Sequence, residues 1–219
     1  GEAGKARRSR LRMAVEGIGA AALTPIVTLL TYLFLFAPIA VLIVYSFNAS
    51  RSTVVWSGFT LDWYATLFDD RDIGRALTVS VIVALASATL STLIGTVTAL
   101  ALARPWVPGR NAISTLLLAP LVLPEIVIAV AFLVFMVLLG IKLGYLSMIP
   151  GHVLITIPYT TLVVRAAVAA LDRRLDEAAA DLGATGWQTF RLVTVPLLMP
   201  AILTAFLLSA TLSFDNFVM

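Results

Sequence analysis

Long apolar runs alternate with short polar segments along the whole chain. Four of these runs contain no Asp, Glu, Lys or Arg, and they cover residues 17–50, 76–103, 143–164 and 192–214. A fifth run, residues 111–141, is interrupted only by Glu125. Each run is as long as the roughly 20 residues that a helix needs to cross the hydrocarbon core of a bilayer. The pattern therefore predicts an all-α transmembrane protein.

The same pattern sets the predicted organisation, a single transmembrane domain over residues 1–219. Its spans are predicted at approximately 23–46, 76–103, 112–139, 150–170 and 197–219, with an external loop at 47–75 and a cytoplasmic loop at 171–196. The composition agrees, because only 12% of the residues are charged and the mean hydropathy is +1.01. Soluble domains carry about 25% charged residues.

The basic residues are distributed unevenly between the predicted loops. With the N-terminus in the cytoplasm, the inner side holds Lys5, Arg7, Arg8, Arg10, Arg12, Arg104, Arg110, Arg173, Arg174 and Arg191, with Arg165 near the inner boundary. The outer side holds only Arg51, Arg71, Arg75 and Lys142. The positive-inside rule thus predicts a multi-pass protein with a cytoplasmic N-terminus. The net charge of +3 reflects this topology, and we expect no nucleic-acid partner.

The external loop contains the segment "LDWYATLF". Leu61, Tyr64, Leu67 and Phe68 recur there at helical spacing, and Trp and Tyr side chains suit a membrane interface. We predict a short helix on the outer face. It is either an interfacial cap on the bundle or a surface on which a partner protein docks.

The cytoplasmic loop has the pattern of two short helices joined at a glycine. "LDEAAADLG" consists of good helix formers and ends at Gly183, the residue type that best terminates a helix. "TGWQ" then matches a capping box, with Thr185 as N-cap and Gln188 three residues later. The second helix is expected to bring Trp187, Phe190 and Arg191 near one another and to end before Pro196. This helix-turn-helix is either a plain connection or a docking element, and its length of about 26 residues favours docking, since connections between packed helices are usually 2–8 residues.

The segment "EAAADLGATGWQTFRLVTVPLL" resembles the EAA loop of ABC importer permeases. That pattern is Glu-Ala-Ala, three residues, Gly, nine residues, then Ile-x-Leu-Pro. The matching positions are Glu177, Ala178, Ala179, Gly183, Val193, Val195 and Pro196, and the chain departs from the pattern only in having Val at both aliphatic positions. The resemblance implies the type I ABC importer permease fold, with five spans of an expected six within these residues. It also implies that the loop couples the spans to an ATPase through Glu177, Ala178, Ala179, Gly183, Trp187, Arg191 and Pro196.

The resemblance further implies the partners and the location. The expected complex lies in the cell inner membrane and contains two ATPase subunits, a second homologous permease and an external substrate-binding protein, surrounded by membrane lipid. The chain contains no P-loop sequence, so ATP and Mg²⁺ are expected on the ATPase subunits, and this chain is expected to be a non-catalytic subunit without a cofactor of its own. Its sequence has no cysteine and no metal-ligand spacing, so no metal site is predicted.

Shorter segments point to the cargo. "FAPIAVLIVYSFNAS", "FTLDWYATLF" and "LSFDNFV" are similar to segments of spermidine/putrescine permeases, which implies polyamines such as spermidine or putrescine as cargo. Permeases for aminoethylphosphonate, ferric iron or sulfate share parts of these segments and are the alternatives. A secondary transporter subunit is a further alternative, which predicts ion-relay residues and no docking loop.

Two carboxylates fall in the predicted outer half of the spans. At a rise of ~1.5 Å per residue, Glu125 lies roughly 20 Å and Asp215 roughly 25 Å from the cytoplasmic side. Intramembrane acids usually face an aqueous cavity or the bundle interior. We predict Glu125, Asp215, Asn216 and Tyr159 along the substrate pathway; solvation of the two acids at the outer interface is the alternative. His152, the only histidine, is expected to serve packing or capping.

Overall fold

The computed structural model describes residues 2–52, 54–104, 107–172 and 174–218, with side chains from residue 23 onward. Nine α-helices lie in these ranges, with one π-helical segment between the last two. They are α1 Glu2–Tyr45, α2 Asp62–Asp69, α3 Arg71–Leu102, α4 Arg110–Val122, α5 Glu125–Leu138, α6 Tyr145–Ala170, α7 Arg174–Asp181, α8 Gly186–Thr189, the π segment Phe190–Thr194 and α9 Val195–Phe214. No strand is present among these residues, which confirms the all-α prediction. The basic N-terminal side chains, part of the 104–110 turn and Arg173 lie outside the described part.

The chain divides into two compact units, residues 1–73 and 74–219. In the first unit, residues Leu23–Tyr45 of α1 form a candidate span, and the predicted external helix is present as α2. The loop between them is ordered around Asn48, whose side chain is fully buried. Its Nδ2 donates to the carbonyls of Ser52 (2.9 Å) and Val55 (2.7 Å), and its Oδ1 accepts from the Ser57 backbone N–H (2.8 Å). One amide side chain therefore fixes the path of this loop.

In the second unit, three long helices define the direction of the bundle. Ser87 Oγ of α3 donates to the carbonyl of Ile149 and, one turn later, the hydroxyls of Ser91 and Thr156 are hydrogen-bonded at 2.5 Å, so α3 and α6 run parallel. The His152 Nδ1–Ser213 Oγ contact (2.7 Å) pairs the start of α6 with the end of α9, so these two helices are antiparallel. We call the end where α3 and α6 begin the upper end, and the opposite end the lower end.

The third predicted span is broken into α4 and α5, which meet at an angle of 110°. Such a pair is either one broken span or a re-entrant loop. Because α3 and α6 both run from the upper to the lower end, the segment between them must return the chain across the bundle. The pair is therefore a broken span, and the prediction of five spans is consistent with four continuous helices and this fifth one. The break falls at Pro124, which is extended (φ −60°, ψ 129°) and has no N–H to continue the hydrogen bonds of a helix.

The core between α3, α6 and α9 is built from small and hydroxyl side chains. The buried positions of α3 include Ser87, Ser91, Gly95 and Ala99, spaced four residues apart on one face. They face buried threonines of α6, and Thr160 Oγ1 donates to the Ser91 carbonyl at 2.9 Å. Within lipid, helix association depends on close backbone approach and interhelical hydrogen bonds, which small residues permit. These contacts hold together α3, α6 and α9.

Candidate coupling element and intramembrane polar cluster

The predicted helix-turn-helix of the EAA-like loop is present as α7 and α8. The first helix ends in a Schellman motif: the N–H of Ala184 donates to the Ala179 carbonyl (3.0 Å) and that of Gly183 to the Ala180 carbonyl (2.9 Å). Gly183 has φ +83°, a left-handed conformation that disfavours any residue with a Cβ. The predicted helix stop at this glycine is confirmed.

The second helix begins at the predicted capping box. The Thr185 hydroxyl accepts from the Gln188 N–H (3.3 Å), and the Gln188 side-chain oxygen accepts from the Thr185 N–H (2.7 Å). Trp187 and Phe190 contact each other, with ring centroids 5.5 Å apart, as expected from their spacing. The coupling turn, which we define as residues 174–194, therefore has the local geometry that the sequence predicts up to Phe190.

The prediction that the second helix ends before Pro196 is wrong. The helical run continues from Gly186 to Phe214 without a break, and it widens into a π segment at Phe190–Thr194. There the Val195 N–H donates to the Phe190 carbonyl, five residues back. In a regular α-helix, a proline ring clashes with the carbonyl of the residue four positions earlier in the chain, which for Pro196 is Leu192. A wider turn moves that carbonyl aside, so Pro196 is accommodated inside a continuous helix that joins the coupling turn to α9.

The coupling turn presents both charged and apolar groups to its surroundings. Glu177 and Ala178 are exposed on α7, whereas Ala179 is buried at 8% exposure against the chain itself. Trp187 is 67% exposed and Leu182, beside the turn glycine, is 89% exposed. Aromatic side chains such as that of Trp187 are enriched in protein–protein interfaces. Leu182 was missed by sequence reasoning; an apolar residue directly before a helix-terminating glycine is the signal that points to it.

The remaining predicted residues of the loop, Arg191 and Pro196, are also exposed. Arg191 belongs to the π segment, and Pro196 is at the first turn of α9. Gly183, Trp187 and Arg191 thus lie on one contiguous stretch of chain that starts at α7 and enters a span.

A second polar feature lies toward the upper end of the bundle. Asn216 Nδ2 donates to the carboxylate of Glu125, which joins the break of the third span to the residues that follow α9. The Asn216 side-chain oxygen accepts from the Val218 N–H at 2.9 Å. Two of the four residues predicted along the pathway are therefore in direct contact, although 91 positions separate them in the sequence.

The helix break also explains why a carboxylate can reside at this depth. Glu125 is the first residue of α5, and the positive end of a helix dipole stabilises a negative charge in its first turn. The Glu125 side chain remains exposed on the surface of this chain. An exposed carboxylate at the break of a candidate span, held at a helix N-terminus, can accept a cation or further hydrogen-bond donors.

The other predicted pathway residues are arranged differently. Asp215 is the exposed C-cap residue of α9, next to Asn216. Tyr159 is half-buried on α6, seven residues beyond His152, which places it about 10 Å farther toward the lower end. His152 is buried at 4% exposure, and its Nδ1 is hydrogen-bonded to the Ser213 hydroxyl. This histidine therefore has the packing role that was expected, in the contact between α6 and α9. Among the described residues no group of three metal-ligating side chains is present.

Comparison with known proteins adds independent information. Residues 91–219 match the family model described as "Binding-protein-dependent transport system inner membrane component". The chain is 40% identical to the spermidine/putrescine transport system permease protein PotC of Escherichia coli (strain K12) over 187 residues, which cover 85% of this chain and 71% of that protein. It is 35% identical to the putrescine transport system permease protein PotI of the same strain, over 88% of this chain and 71% of that protein.

A more distant relative and a solved structure extend the comparison. A putative 2-aminoethylphosphonate transport system permease protein, PhnV of Salmonella typhimurium, is 27% identical over 89% of this chain and 74% of that protein. In fold, the chain is similar to a chain of a bacterial ABC transporter involved in the import of the acidic polysaccharide alginate. The TM-score is 0.67 at 18% identity, over 91% of this chain and 75% of that one.

Proposed function

Because this chain belongs to the family of binding-protein-dependent transport system inner membrane components, we propose that it is the permease subunit of an ATP-driven importer of polyamines. Two separate ATPase subunits hold ATP and Mg²⁺, and an external binding protein delivers the cargo. A second, homologous permease completes the pathway. The N-terminus and the lower end of the bundle face the cytoplasm.

The polyamine assignment is supported by both similarity and local chemistry. The relatives with 40% and 35% identity are spermidine/putrescine and putrescine permeases, whereas the aminoethylphosphonate relative has 27% identity. A polyamine carries several ammonium groups, which are donors without acceptor capacity. Glu125 supplies acceptors for such groups, and so does Asp215, which is adjacent in sequence to Asn216, the hydrogen-bond partner of Glu125. Both carboxylates are exposed on this chain.

The coupling role is supported by the geometry of the coupling turn. Glu177 and Ala178 are exposed on a short helix, and after the turn at Gly183 the chain re-enters at Gly186 a helical run that continues through Trp187 into α9. An ATPase that binds this surface moves a segment that is continuous with a span. Helix shifts at subunit interfaces are an established switching device.

The observation that carries the proposal is the EAA-like pattern of residues 177–196, which is folded as an exposed helix-turn-helix whose second helix continues into α9. Its test uses the full-length permease assembled with its ATPase, second permease and binding protein in vesicles. Uptake of labelled spermidine, putrescine and aminoethylphosphonate is measured together with ATPase copurification. We expect uptake of a polyamine that requires ATP.

A charge reversal separates coupling from cargo. Glu177→Lys is expected to reduce copurification of the ATPase and to abolish uptake, whereas Asp181→Lys, on the same helix and also exposed, is the matched control. If Glu177→Lys leaves both measurements unchanged, the coupling assignment is wrong. If no polyamine is transported but ATP-dependent uptake of another solute is found, only the cargo assignment fails.

A further inference from the structure

A cavity of about 770 Å³ lies at the lower end of the second unit, between the span ends and the coupling turn. Three arginines from different elements line it on the span side: Arg104 just beyond α3, Arg110 at the first residue of α4, and Arg165 on α6. Asp172, in the connection between α6 and α7, and Asp176, on α7, also line it. We call the arginines the basic wall of the cavity and the two aspartates its acidic wall.

Among the residues that the structure describes, neither Arg110 nor Arg165 forms a salt bridge with Asp172 or Asp176. One oxygen of Asp172 accepts from the Arg174 N–H at 3.0 Å, and Asp176 is exposed. The volume between the walls is within the range of small-molecule sites. A ligand that carries a negative group and a positive group would therefore match both walls at once.

Most of the remaining lining is apolar, with Thr189 and Thr194 as the polar exceptions. It includes Leu100, Leu171, Leu175, Val193 and Leu197, which come from the span ends and from the coupling turn. A ligand with a charged end and a hydrocarbon end fits this combination better than a small ion does. Basic pockets between spans on the cytoplasmic side are a known setting for lipid headgroups.

We propose that this cavity binds the phosphoethanolamine headgroup of a membrane lipid. The phosphate accepts charge-assisted hydrogen bonds from the guanidinium groups of Arg110 and Arg165, and the primary ammonium group donates to Asp172 and Asp176. The glycerol and the first methylenes contact the leucines. The headgroup then bridges the span ends and the coupling turn, and it fills the space that would otherwise separate them.

The inference rests on the proposed function in one respect, since it takes the lower end to be the cytoplasmic headgroup level. The cargo itself is a poor occupant, because a polyamine would face three guanidinium groups. A soluble phosphate would satisfy the arginines but would leave the carboxylates and the leucines without a partner. These differences make the chemistry of the occupant testable.

The test uses the full-length permease in its assembled complex, purified, delipidated and titrated with defined lipids. Bound lipid is counted by native mass spectrometry, and the thermal midpoint of the complex is followed in parallel. The lipids are phosphatidylethanolamine, phosphatidylcholine and phosphatidylglycerol with identical acyl chains, and inorganic phosphate is a separate arm. We expect the ethanolamine lipid to bind most tightly, because the choline group lacks N–H donors and the glycerol headgroup lacks the cation.

Variants of each wall test the assignment. The double variant Arg110→Gln/Arg165→Gln is expected to weaken binding of all three lipids by about a hundredfold, the loss of two charge-assisted contacts at about tenfold each. Asp176→Asn is expected to reduce only the preference for ethanolamine over choline. Arg75→Gln, on the opposite end of α3, and Asp181→Asn, outside the cavity, are the matched controls and are expected to leave lipid binding unchanged.

Three outcomes would overturn the inference. Equal binding of the three lipids would remove the headgroup specificity, and equal protection by inorganic phosphate would show a simple anion site. Unchanged lipid binding in the arginine variants with loss of ATPase copurification would show that the cavity is a protein contact. ATP-dependent polyamine uptake in the wild-type complex distinguishes each of these results from a failure of the proposed function.

Discussion

Gly95 of α3 lies directly against Thr160 of α6. A Cβ built at Gly95 would come within 2.9 Å of the Thr160 Cβ, closer than real Cβ atoms pack, and within 3.1 Å of the Thr161 backbone nitrogen, which is tighter than most real contacts. Thr160 cannot easily move, because its hydroxyl donates to the Ser91 carbonyl across the same interface. The two helices are therefore held at a separation that only glycine permits.

Gly95→Ala is expected to destabilise the bundle by about 1–3 kcal/mol, the usual cost of overpacking a tight contact. The measurement is the thermal midpoint of the detergent-solubilised complex. Gly74→Ala on the same helix is the control, because a Cβ there meets nothing within 4 Å. Equal midpoints for the two variants would contradict the close packing of α3 on α6.

A second prediction concerns the turn between α7 and α8. Gly183→Ala forces a Cβ into the left-handed conformation at φ +83° and is expected to cost about 1–2 kcal/mol locally. We expect weaker ATPase copurification and lower uptake from the assembled transporter. Gly183→Asn should retain more of both, since asparagine tolerates this conformation better.

The matched control for that turn is Gly186→Ala, three residues later. Gly186 is helical, has no positive φ, and has open space where a Cβ would stand. Alanine also has a higher helix propensity than glycine, so this variant is expected to keep full coupling. Equal loss of coupling in both glycine variants would show that the surface, and not the backbone conformation, is what matters.

A third prediction concerns the external loop. Asn48→Ala removes the partners of the Ser52 and Val55 carbonyls and of the Ser57 N–H, and each buried polar group left unpaired costs about 1–3 kcal/mol. We expect trypsin to cleave after Arg51 much faster in this variant. Ser50→Ala is the control, since the Ser50 hydroxyl makes only an exposed contact with the Ser52 N–H, and a cleavage rate equal to that of Asn48→Ala would contradict the central role of Asn48.

A fourth prediction concerns the contact between Glu125 and Asn216. Glu125→Gln removes the charge that attracts an ammonium group, and we expect the KM for polyamine uptake to rise about tenfold or more. Asn216→Ala is expected to change the KM as well. Because the two side chains are hydrogen-bonded, the double variant should deviate from the sum of the two single effects.

The control for this cycle is Asp72→Asn, an exposed acid in the first turn of α3. It removes a negative charge without touching the helix break. Additive effects of Glu125→Gln and Asn216→Ala, or an equal rise in the KM for Asp72→Asn, would argue against a specific site at Glu125.

The local features were predictable because each depends on a few neighbouring residues. The helix stop at Gly183, the capping box of Thr185 and the break near Pro124 all follow from backbone chemistry within one or two turns. The spans followed from charge-free length alone. The span boundaries were predicted less accurately. The helices α3 and α6 begin at Arg71 and Tyr145, each about five residues earlier in the chain than the predicted start. Helices extend past the apolar run that a membrane requires, and helix ends are the least sharply defined part of the element.

The long-range contacts could not be predicted in the same way. Nothing near Glu125 in the sequence indicates Asn216 as its partner, and nothing near His152 indicates Ser213. The spacing of Ser87, Ser91, Gly95 and Ala99 does carry a signal, because small residues four apart mark a helix-packing face in membranes. The signal identifies the face but not the helix that packs on it. The π segment was missed because a proline in a sequence ordinarily indicates a helix end.

The unbroken helical run from Gly186 to Phe214 has a thermodynamic consequence. At ~1.5 Å per residue its 29 residues extend roughly 43 Å, from the coupling turn to within two residues of Asn216. In the proposed transporter, ATPase docking and cargo binding therefore act on the two ends of one secondary-structure element. Linkage between two sites is reciprocal. If ATPase docking changes the affinity of Glu125 and Asn216 for an ammonium group by some factor, occupancy of those residues must change the affinity for the ATPase by the same factor.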